Sequence, residues 1–351
     1  MPKIGIIIVN YKDYAARFLS DCVNNLQGQE VPGFVWKLYL VDNCSSKQSI
    51  TYLKKQAPIA NIIPRADGNY SAANRIGIER AKEDGCDYFV IANMDVIFAK
   101  NWLKELVKAV NNDYQVGIAQ SKIMLYGKEN KINSVGNIIH FLGFGFTDGY
   151  NETDNNQHDG PREITGYASG SSLIIKKEVI EKIGNYDPQY YMYHDDLELG
   201  WRARLAGYKI ILAPQSIVYH KYEFSRSVRM LYYMERNRYI AIFSFYKLPT
   251  ILLILLPLAI MNIGMLFYSI INGWFLTKLK VEWYFCKPSS WKHIMKTHRQ
   301  VKKFRKVKDK DIVKNISGKV EYQEIMNPVL KYIVNPVFDI YWRFVRRLIF
   351  W

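Results

Sequence analysis

Cysteine is scarce in this chain: Cys22, Cys44, Cys86 and Cys286 are the whole complement among 351 residues. No two have the close spacing of a zinc-ligand pair, so neither a structural zinc site nor a disulfide framework is indicated, and a reducing compartment fits. A glycine-rich turn is missing where a dinucleotide-binding fold needs one. The apolar run at residues 4–9 passes into Asn10-Tyr11-Lys12-Asp13-Tyr14 with no GxGxxG. That run is also too short for a signal-peptide core and has no small-residue cleavage site after it, so it is expected to be the first strand. Acidic residues are depleted in one region only. Residues 1–220 carry 24 Lys+Arg against 24 Asp+Glu, and residues 221–351 carry 24 against 8, so the whole net charge of +16 lies in the last third. A nucleic-acid partner is not expected from that distribution.

What is present is an alternation of apolar runs and helical patterns. Strands are expected at residues 4–9, 38–41, 62–63 and 88–92, with helices at 14–26, 72–83 and 99–111. Near-continuous apolar strands alternating with helices imply a parallel, doubly wound sheet buried on both faces. Residues 113–165 are richer in Gly, Asn and aromatic side chains, as in Phe141-Leu142-Gly143-Phe144-Gly145-Phe146, and suggest antiparallel pieces and an adaptable loop. The length accommodates one large or two ordinary domains.

Three acidic stretches carry the chemistry. The strand Tyr88-Phe89-Val90-Ile91-Ala92 ends in Asn93-Met94-Asp95, a carboxylate at a strand tip, where ligands bind in open α/β sheets and where a hard cation could hold a diphosphate. The alternative is a turn whose Asp caps the next helix. Val41-Asp42-Asn43-Cys44-Ser45-Ser46 repeats the pattern; Asp42 could accept from a base or ribose, or form an Asx-turn or helix cap. Finally, Asp195-Asp196-Leu197-Glu198 opens an amphipathic helix that ends at Gly207. Asp195 and Glu198 have the spacing of a capping box, with Asp195 at the N-cap. Asp196 is not needed for that, and crowding with Asp195 would raise its proton affinity toward that of a general base. The alternative is a set of first-turn acids favoured by the helix dipole.

The order of these motifs resembles the family-2 glycosyltransferases of the GT-A fold, in particular the bacterial rhamnosyltransferase-like branch, over roughly residues 3–222. The V-x-N-Y strand end is matched by Ile8-Val9-Asn10-Tyr11, and V-D-N-x-S by Val41 to Ser45. The N-x-G-F-a-x-a-N-x-x-G motif falls on Asp67 to Gly77, with Asp67 for the first Asn and Asn69 for the Gly. The metal motif falls on Asn93-Met94-Asp95, and the pattern from s-G-a to G-x-f-D on Ser169-Gly170-Ser171 through Gly184-Asn185-Tyr186-Asp187. E-D-x-D-L lies on Asp195 to Leu199 with both outer acids exchanged, and w-R-x-x-x-x-G on Trp201-Arg202 to Gly207.

The resemblance implies an α/β GT-A fold, a Rossmann-like nucleotide-diphospho-sugar transferase, and an inverting transfer from a nucleotide-sugar. It assigns Asp196 as general base beside Asp195, and Asp95 as ligand of Mg²⁺ or Mn²⁺ with His220 as a second ligand or a structural residue. Asn10, Tyr11, Asp42, Asn74 and Asn93 would hold the nucleotide, with Glu198 and Arg202 in support, Arg202 through the acidic cluster or a phosphate. The donor would be dTDP- or UDP-linked, rhamnose among the sugars, and the acceptor a glycan or lipid-linked glycan. The other class weighed is a membrane-surface binding module that keeps the fold without catalysis; the presence of both Asp95 and Asp196 favours the enzyme.

The last third indicates where this happens. Residues 1–222 are expected to be the catalytic domain, 223–247 a helical connector, 248–277 a hydrophobic membrane-associating segment, and 278–351 a basic, aromatic-rich membrane-surface tail. Residues 248–277 carry no charge. About 20 apolar residues span a bilayer, but Arg226, Arg229, Arg236, Arg238 and Lys247 precede the segment and Lys278, Lys280, Lys287 and Lys292 follow it, so both flanks favour the cytoplasmic side. A helix broken near Pro257 that dips in and returns would satisfy both constraints. Residues 287–310 hold ten Lys+Arg and one acid, Asp309, near Trp283 and Trp291, a mix suited to an anionic membrane surface. The expectation is a monotopic or re-entrant protein on the cytoplasmic face.

Overall fold

A strand that is apolar on both faces must be covered on both, which in a parallel sheet is done by the helices that alternate with the strands. In the computed structural model, which describes residues 1–128, 130–160, 162–222, 231–321 and 328–351, the first four strands are β1 (Lys3–Asn10), β2 (Val35–Asn43), β3 (Ala60–Arg65) and β4 (Tyr88–Ala92). They run parallel in the order β3-β2-β1-β4. The helices α1 (Tyr14–Gln27), α2 (Lys47–Gln56) and α3 (Tyr70–Glu83) alternate with them. Helix α2 is an addition to the sequence reading. Leu53 is its one fully buried residue, so it has no apolar stripe to detect, and its start is set by a capping box between Ser46 and Ser49.

The fit of α3 against β1 leaves no room at Gly77. A Cβ there would lie 2.5 Å from Ile7 Cγ2. Gly77→Ala is therefore expected to destabilise the protein by about 1–3 kcal/mol through overpacking. Urea unfolding should show a lower midpoint at unchanged slope.

Beyond β4 the sheet is mixed. The elements are β5 (Val96–Phe98), α4 (Trp102–Val110), β6 (Val116–Leu125), β7 (Ile132–Ser134), β8 (Asn137–Ile139), β9 (Gly145–Thr147), β10 (Arg162–Glu163), β11 (Ser172–Lys176), α5 (Lys177–Ile183), α6 (Asp195–Leu205) and β12 (Lys209–His220). The antiparallel pieces expected within residues 113–165 include β6 with β7, and the reversal extends to β11, which lies antiparallel between β4 and β6, while β12 runs parallel to β6. Apolar runs buried on both faces look alike in either direction, so the sequence pattern does not reveal the reversal.

The chain divides into two units. One comprises Met1–Asn137, Thr147–Ala203 and Tyr208–Tyr222; the other Ile138–Phe146, Arg204–Gly207 and Glu223–Trp351. Residues 138–146 pack within the second unit. Phe141 is buried and stacks on Trp342 at 4.8 Å, and His140 packs beside it with Nε2 3.1 Å from the Gly318 carbonyl. Burial pushes the His140 imidazole down to about 3, so it stays neutral.

The second unit is helical: α7 (Leu231–Phe245), α8 (Leu248–Ile271), α9 (Phe275–Phe285), α10 (Pro288–Phe304), α11 (Asp309–Val313) and α12 (Asn335–Val345). The expected connector is helical over Leu231–Phe245, with Glu235 and Arg238 buried and paired at 3.0 Å; Arg226 and Arg229 lie outside the described residues. The helix break expected near Pro257 is corrected, since α8 runs unbroken through it. A proline inside a helix frees the carbonyl four residues back, here Leu253, and the Tyr341 hydroxyl donates to that oxygen. Lys278 is not a solvated flanking charge either, since it is buried between Glu235 at 3.1 Å and Glu282 at 3.0 Å.

Candidate active site

Asp95 reaches its position because β5 follows it at once and pairs antiparallel with the end of β12, with Val96 opposite His220. That register places His220 Nε2 3.3 Å from Asp95 Oδ1. On its other side, His220 Nδ1 is 2.9 Å from Asn133 Oδ1 on β7. The Asn133 oxygen can only accept, so Nδ1 carries a proton and Nε2 is the ring nitrogen directed at Asp95. Asp95 Oδ1 is buried without a well-formed hydrogen bond. Asp95 Oδ2 accepts from the Tyr14 hydroxyl. Burial pushes the Asp95 carboxyl up, but the contacts with His220, Tyr14 and its own backbone outweigh it and hold it below the usual carboxylate range.

A carboxylate and an imidazole nitrogen converging in this way fit Mg²⁺ or Mn²⁺. Among the described residues there is no group of three or more His, Cys, Asp or Glu that could hold a metal, so the protein would supply two ligands and leave the remainder to phosphate and water. Asn133 fixes the imidazole tautomer. Asn133→Leu should weaken Mn²⁺ binding 10–100-fold, as read by the electron paramagnetic resonance signal of free Mn²⁺. An unchanged affinity would mean that the ring is oriented by other contacts.

The second half of the site is the first turn of α6. Asp195 is buried and Asp196 is partly open to solvent. The Gly170 N–H donates to Asp196 Oδ2 at 2.7 Å, and the Tyr186 hydroxyl to Oδ1 at 3.1 Å. A Cβ on residue 170 would lie 2.7 Å from Oδ2, so this approach requires glycine. Burial pushes Asp196 up to about 6 against the pull of those two donors. Asp195 is raised well above the carboxylate range by burial and then by the charge of Asp196.

The capping box is not formed. Asp195 is already the first helical residue, and Glu198 N–H bonds the carbonyl of His194 at 2.8 Å. The Glu198 carboxylate instead grips Arg202 through two bonds of 2.5 Å. Arg202 spends its remaining donors on the carbonyls of Ile183, Gly184 and Asn185, which commits it to the Glu198 pair and that turn rather than to a phosphate. Ahead of α6, Tyr191, Tyr193 and His194 all take left-handed backbone angles, with φ of 64°, 60° and 60°. Such residues are strained and collect at functional sites. The Ser71 N–H holds the Tyr191 carbonyl at 3.0 Å, and the Tyr191 hydroxyl donates to the Asp67 carbonyl at 3.2 Å.

Tyr70 and Asn93 join the two halves. The Tyr70 hydroxyl donates to Asn93 Oδ1 at 3.1 Å, and Asn93 Nδ2 lies 3.4 Å from Ser171 Oγ, next to Gly170. The Tyr70 phenol is raised well above its ordinary value by burial and then by Asp196, Asp195 and Asp95, all three of which act on it.

At the nucleotide end, Asp42 is fully buried and accepts from Asn10 Nδ2 at 2.8 Å and Ser49 Oγ at 2.5 Å. It is not a helix cap, because Ser46 caps α2. Asn10 also accepts from Ala15 N–H at 2.9 Å. Asn10 and Asp42 thus brace the β1 and β2 ends from beneath a cleft of about 270 Å³, which Asn10, Lys12, Ser46, Ser49 and Tyr52 help to line. Of the other expected nucleotide residues, Asn74 is buried in α3, Asn93 is half-buried, and Tyr11 is exposed. Tyr14, Asn133, Tyr70 and Tyr186 had no role in the sequence reading. Tyr70 and Tyr186 stand inside quoted motifs, whereas Asn133 has no local signal.

The family description Glycosyl transferase family 2 matches residues 5–184, about half the chain. The O-antigen biosynthesis protein RfbC of Myxococcus xanthus is 25% identical over 236 residues, covering 64% of this chain and 18% of that protein. An N-acetylglucosaminyl-diphospho-decaprenol L-rhamnosyltransferase of Mycobacterium tuberculosis is 34% identical over 55 residues, covering 16% of this chain and 18% of the relative. The chain therefore spans about a fifth of the length of these curated relatives. In fold it is similar to GalNAc-T7 with UDP, GalNAc and Mn²⁺ (TM-score 0.52, 15% identity, 68% of this chain and 48% of the other). It is also similar to S. aureus TarS (TM-score 0.51, 15% identity, 98% and 55%). With the mixed α/β sheet of the GT-A fold and a family match across its sheet-bearing half, the chain belongs to glycosyl transferase family 2.

Proposed function

We propose that the protein is an inverting, divalent-metal-assisted glycosyltransferase acting at the cytoplasmic face of a membrane. It would move a sugar from a dTDP- or UDP-linked donor, rhamnose among the sugars, to a lipid-linked or other surface-glycan acceptor. The observation that carries this reading is the pairing of a basic, partly accessible Asp196 with the convergent Asp95 and His220. An O-antigen protein and a rhamnosyltransferase that uses a diphospho-decaprenol acceptor among the relatives support the acceptor class.

Asp196 takes the proton of the acceptor hydroxyl as that oxygen bonds to the anomeric carbon and the bond from that carbon to the diphosphate oxygen breaks, with inversion. Gly170 and Tyr186 hold the carboxylate in place for this, each on one oxygen. Asp95 and His220 would hold the metal, which supplies electrostatic stabilisation to the departing nucleoside diphosphate. Asn93, fixed by Tyr70, stands between the two halves.

Turnover of a panel of dTDP- and UDP-sugars against lipid extracts, with the anomeric configuration of the product read by NMR, tests the reading. A product of inverted configuration is expected. Retention would overturn the single-displacement mechanism, and no turnover with any nucleotide-sugar would overturn the donor class.

A further inference from the structure

Resting on the membrane association proposed above, we infer that α8 and α12 together form one apolar plate that lies flat in a single leaflet of an anionic bilayer without crossing it. At 24 residues, α8 is about 36 Å long, enough to span. Its inner side, however, is buried along nearly the whole length, at Thr250, Ile254, Leu258, Met261 and Ser269. Its first turn is tied to Asp309, which accepts from Lys247 N–H at 2.9 Å and Thr250 Oγ1 at 2.5 Å. Its middle is tied to α7, where the Tyr239 hydroxyl donates to Asn262 at 2.8 Å. For α8 to stand across a bilayer, α7 would have to enter beside it, bringing the buried Glu235 and Arg238, with Lys278 of α9 paired to Glu235, into hydrocarbon.

The outer side of α8 is the opposite. Leu252, Ile263 and Ile270 fall on one helical face and are each more than half exposed, at 61%, 56% and 53%. Helix α12 continues the surface. Tyr341 bonds the Leu253 carbonyl, and Trp351 Nε1 donates to Thr250 Oγ1 at 2.8 Å, so the C-terminal segment is fastened to α8. The inner face of α12 buries Phe338, Trp342 and Val345, while its outer face presents Val337, Ile340 and Phe344. An apolar helix and an amphipathic one fastened together, with their outer faces bare, have the form of an interfacial anchor. The charge names the occupant. Helix α10 exposes Lys292, Lys296, Arg299, Lys302 and Lys303, and the whole +16 excess lies beyond residue 220, complementary to anionic headgroups.

Nitroxide labels at Leu252→Cys, Ile263→Cys, Ile270→Cys and Phe344→Cys, in full-length protein with Cys286→Ser, would be placed on vesicles of phosphatidylethanolamine and phosphatidylglycerol. Depth is read by power saturation. All four are expected at one shallow depth, about 5–10 Å below the phosphates. Ile340→Glu with Phe344→Glu should weaken partition about tenfold or more while leaving Mn²⁺ binding, a check on folding, unchanged. Partition should be stronger than on phosphatidylcholine alone and should persist in high salt. A label at 263 near the bilayer centre with 252 and 270 in opposite headgroup regions would establish a crossing and overturn the plate. Unchanged partition of the double variant would remove α12 from it. Labels shielded from lipid in a dimer would assign the face to a second copy. No partition of the native chain would refute membrane association altogether, whereas the sugar-transfer reading stands or falls on turnover with soluble donor.

Discussion

Asp196→Asn is expected to lower turnover about a thousandfold, leave nucleotide-sugar affinity within a few-fold, and make the protein more stable at neutral pH. The first effect is the loss of a general base, which typically contributes 10²–10⁴-fold. The amide keeps the shape and both local bonds: its oxygen can accept from Gly170 N–H, and its NH₂ can donate to the Tyr186 oxygen. The third effect follows from linkage. Asp196 has a folded value of about 6 against an ordinary 3.8, so between those pH values the folded state holds a proton that the unfolded chain has lost. Stability therefore falls as pH rises through that window, and at pH 7 the ionised carboxylate costs about 1–3 kcal/mol. Asparagine has no such cost. The variant's advantage in melting temperature should be present at pH 7 and vanish below pH 4. In the native enzyme, kcat/KM should rise with pH along an acid limb near 6. Asp195 is buried, whereas Asp196 is partly open to an incoming acceptor, so Asp195→Asn should retain turnover within about tenfold. A dead Asp195→Asn beside an active Asp196→Asn would move the base to the neighbour.

That contrast between adjacent acids shows where sequence reasoning reaches and where it stops. The strand tips carrying Asp42 and Asp95 are legible because an apolar run and its abrupt polar end are local. Whether a carboxylate then faces a ligand is not local. Asp42 accepts from Asn10 and Ser49, two residues that the fold brings to it from either side. The spacing of Asp195 and Glu198 matched a capping box, yet Arg202 one turn on competes for Glu198 and wins with two charge-assisted bonds. Pro257 looked like a break because the partner that satisfies the freed carbonyl, Tyr341, is distant in sequence. Asn133 was invisible for the same reason. Its contact with His220 exists only once β7, β6 and β12 are in register.

Asp95→Asn is expected to abolish measurable Mn²⁺ binding and to lower turnover about a thousandfold, while apo-protein stability is kept or raised. The metal effect follows from replacing the charged member of a two-residue donor set by a neutral amide. The stability effect follows from the 3.3 Å gap between Asp95 Oδ1 and His220 Nε2. The native Asp95 Oδ1 is buried without a well-formed hydrogen bond, whereas the amide introduced by the substitution can donate to Nε2 and still accept from Tyr14. Folding stability and metal affinity should thus move in opposite directions, which simple damage to the site would not produce. Native enzyme stripped by EDTA should lose activity to a similar extent and regain it with Mn²⁺, and the variant should not respond. If EDTA left turnover untouched and Asp95→Asn remained active, the leaving diphosphate would have to be stabilised by side chains alone, and Asp95 with His220 would be a structural pair.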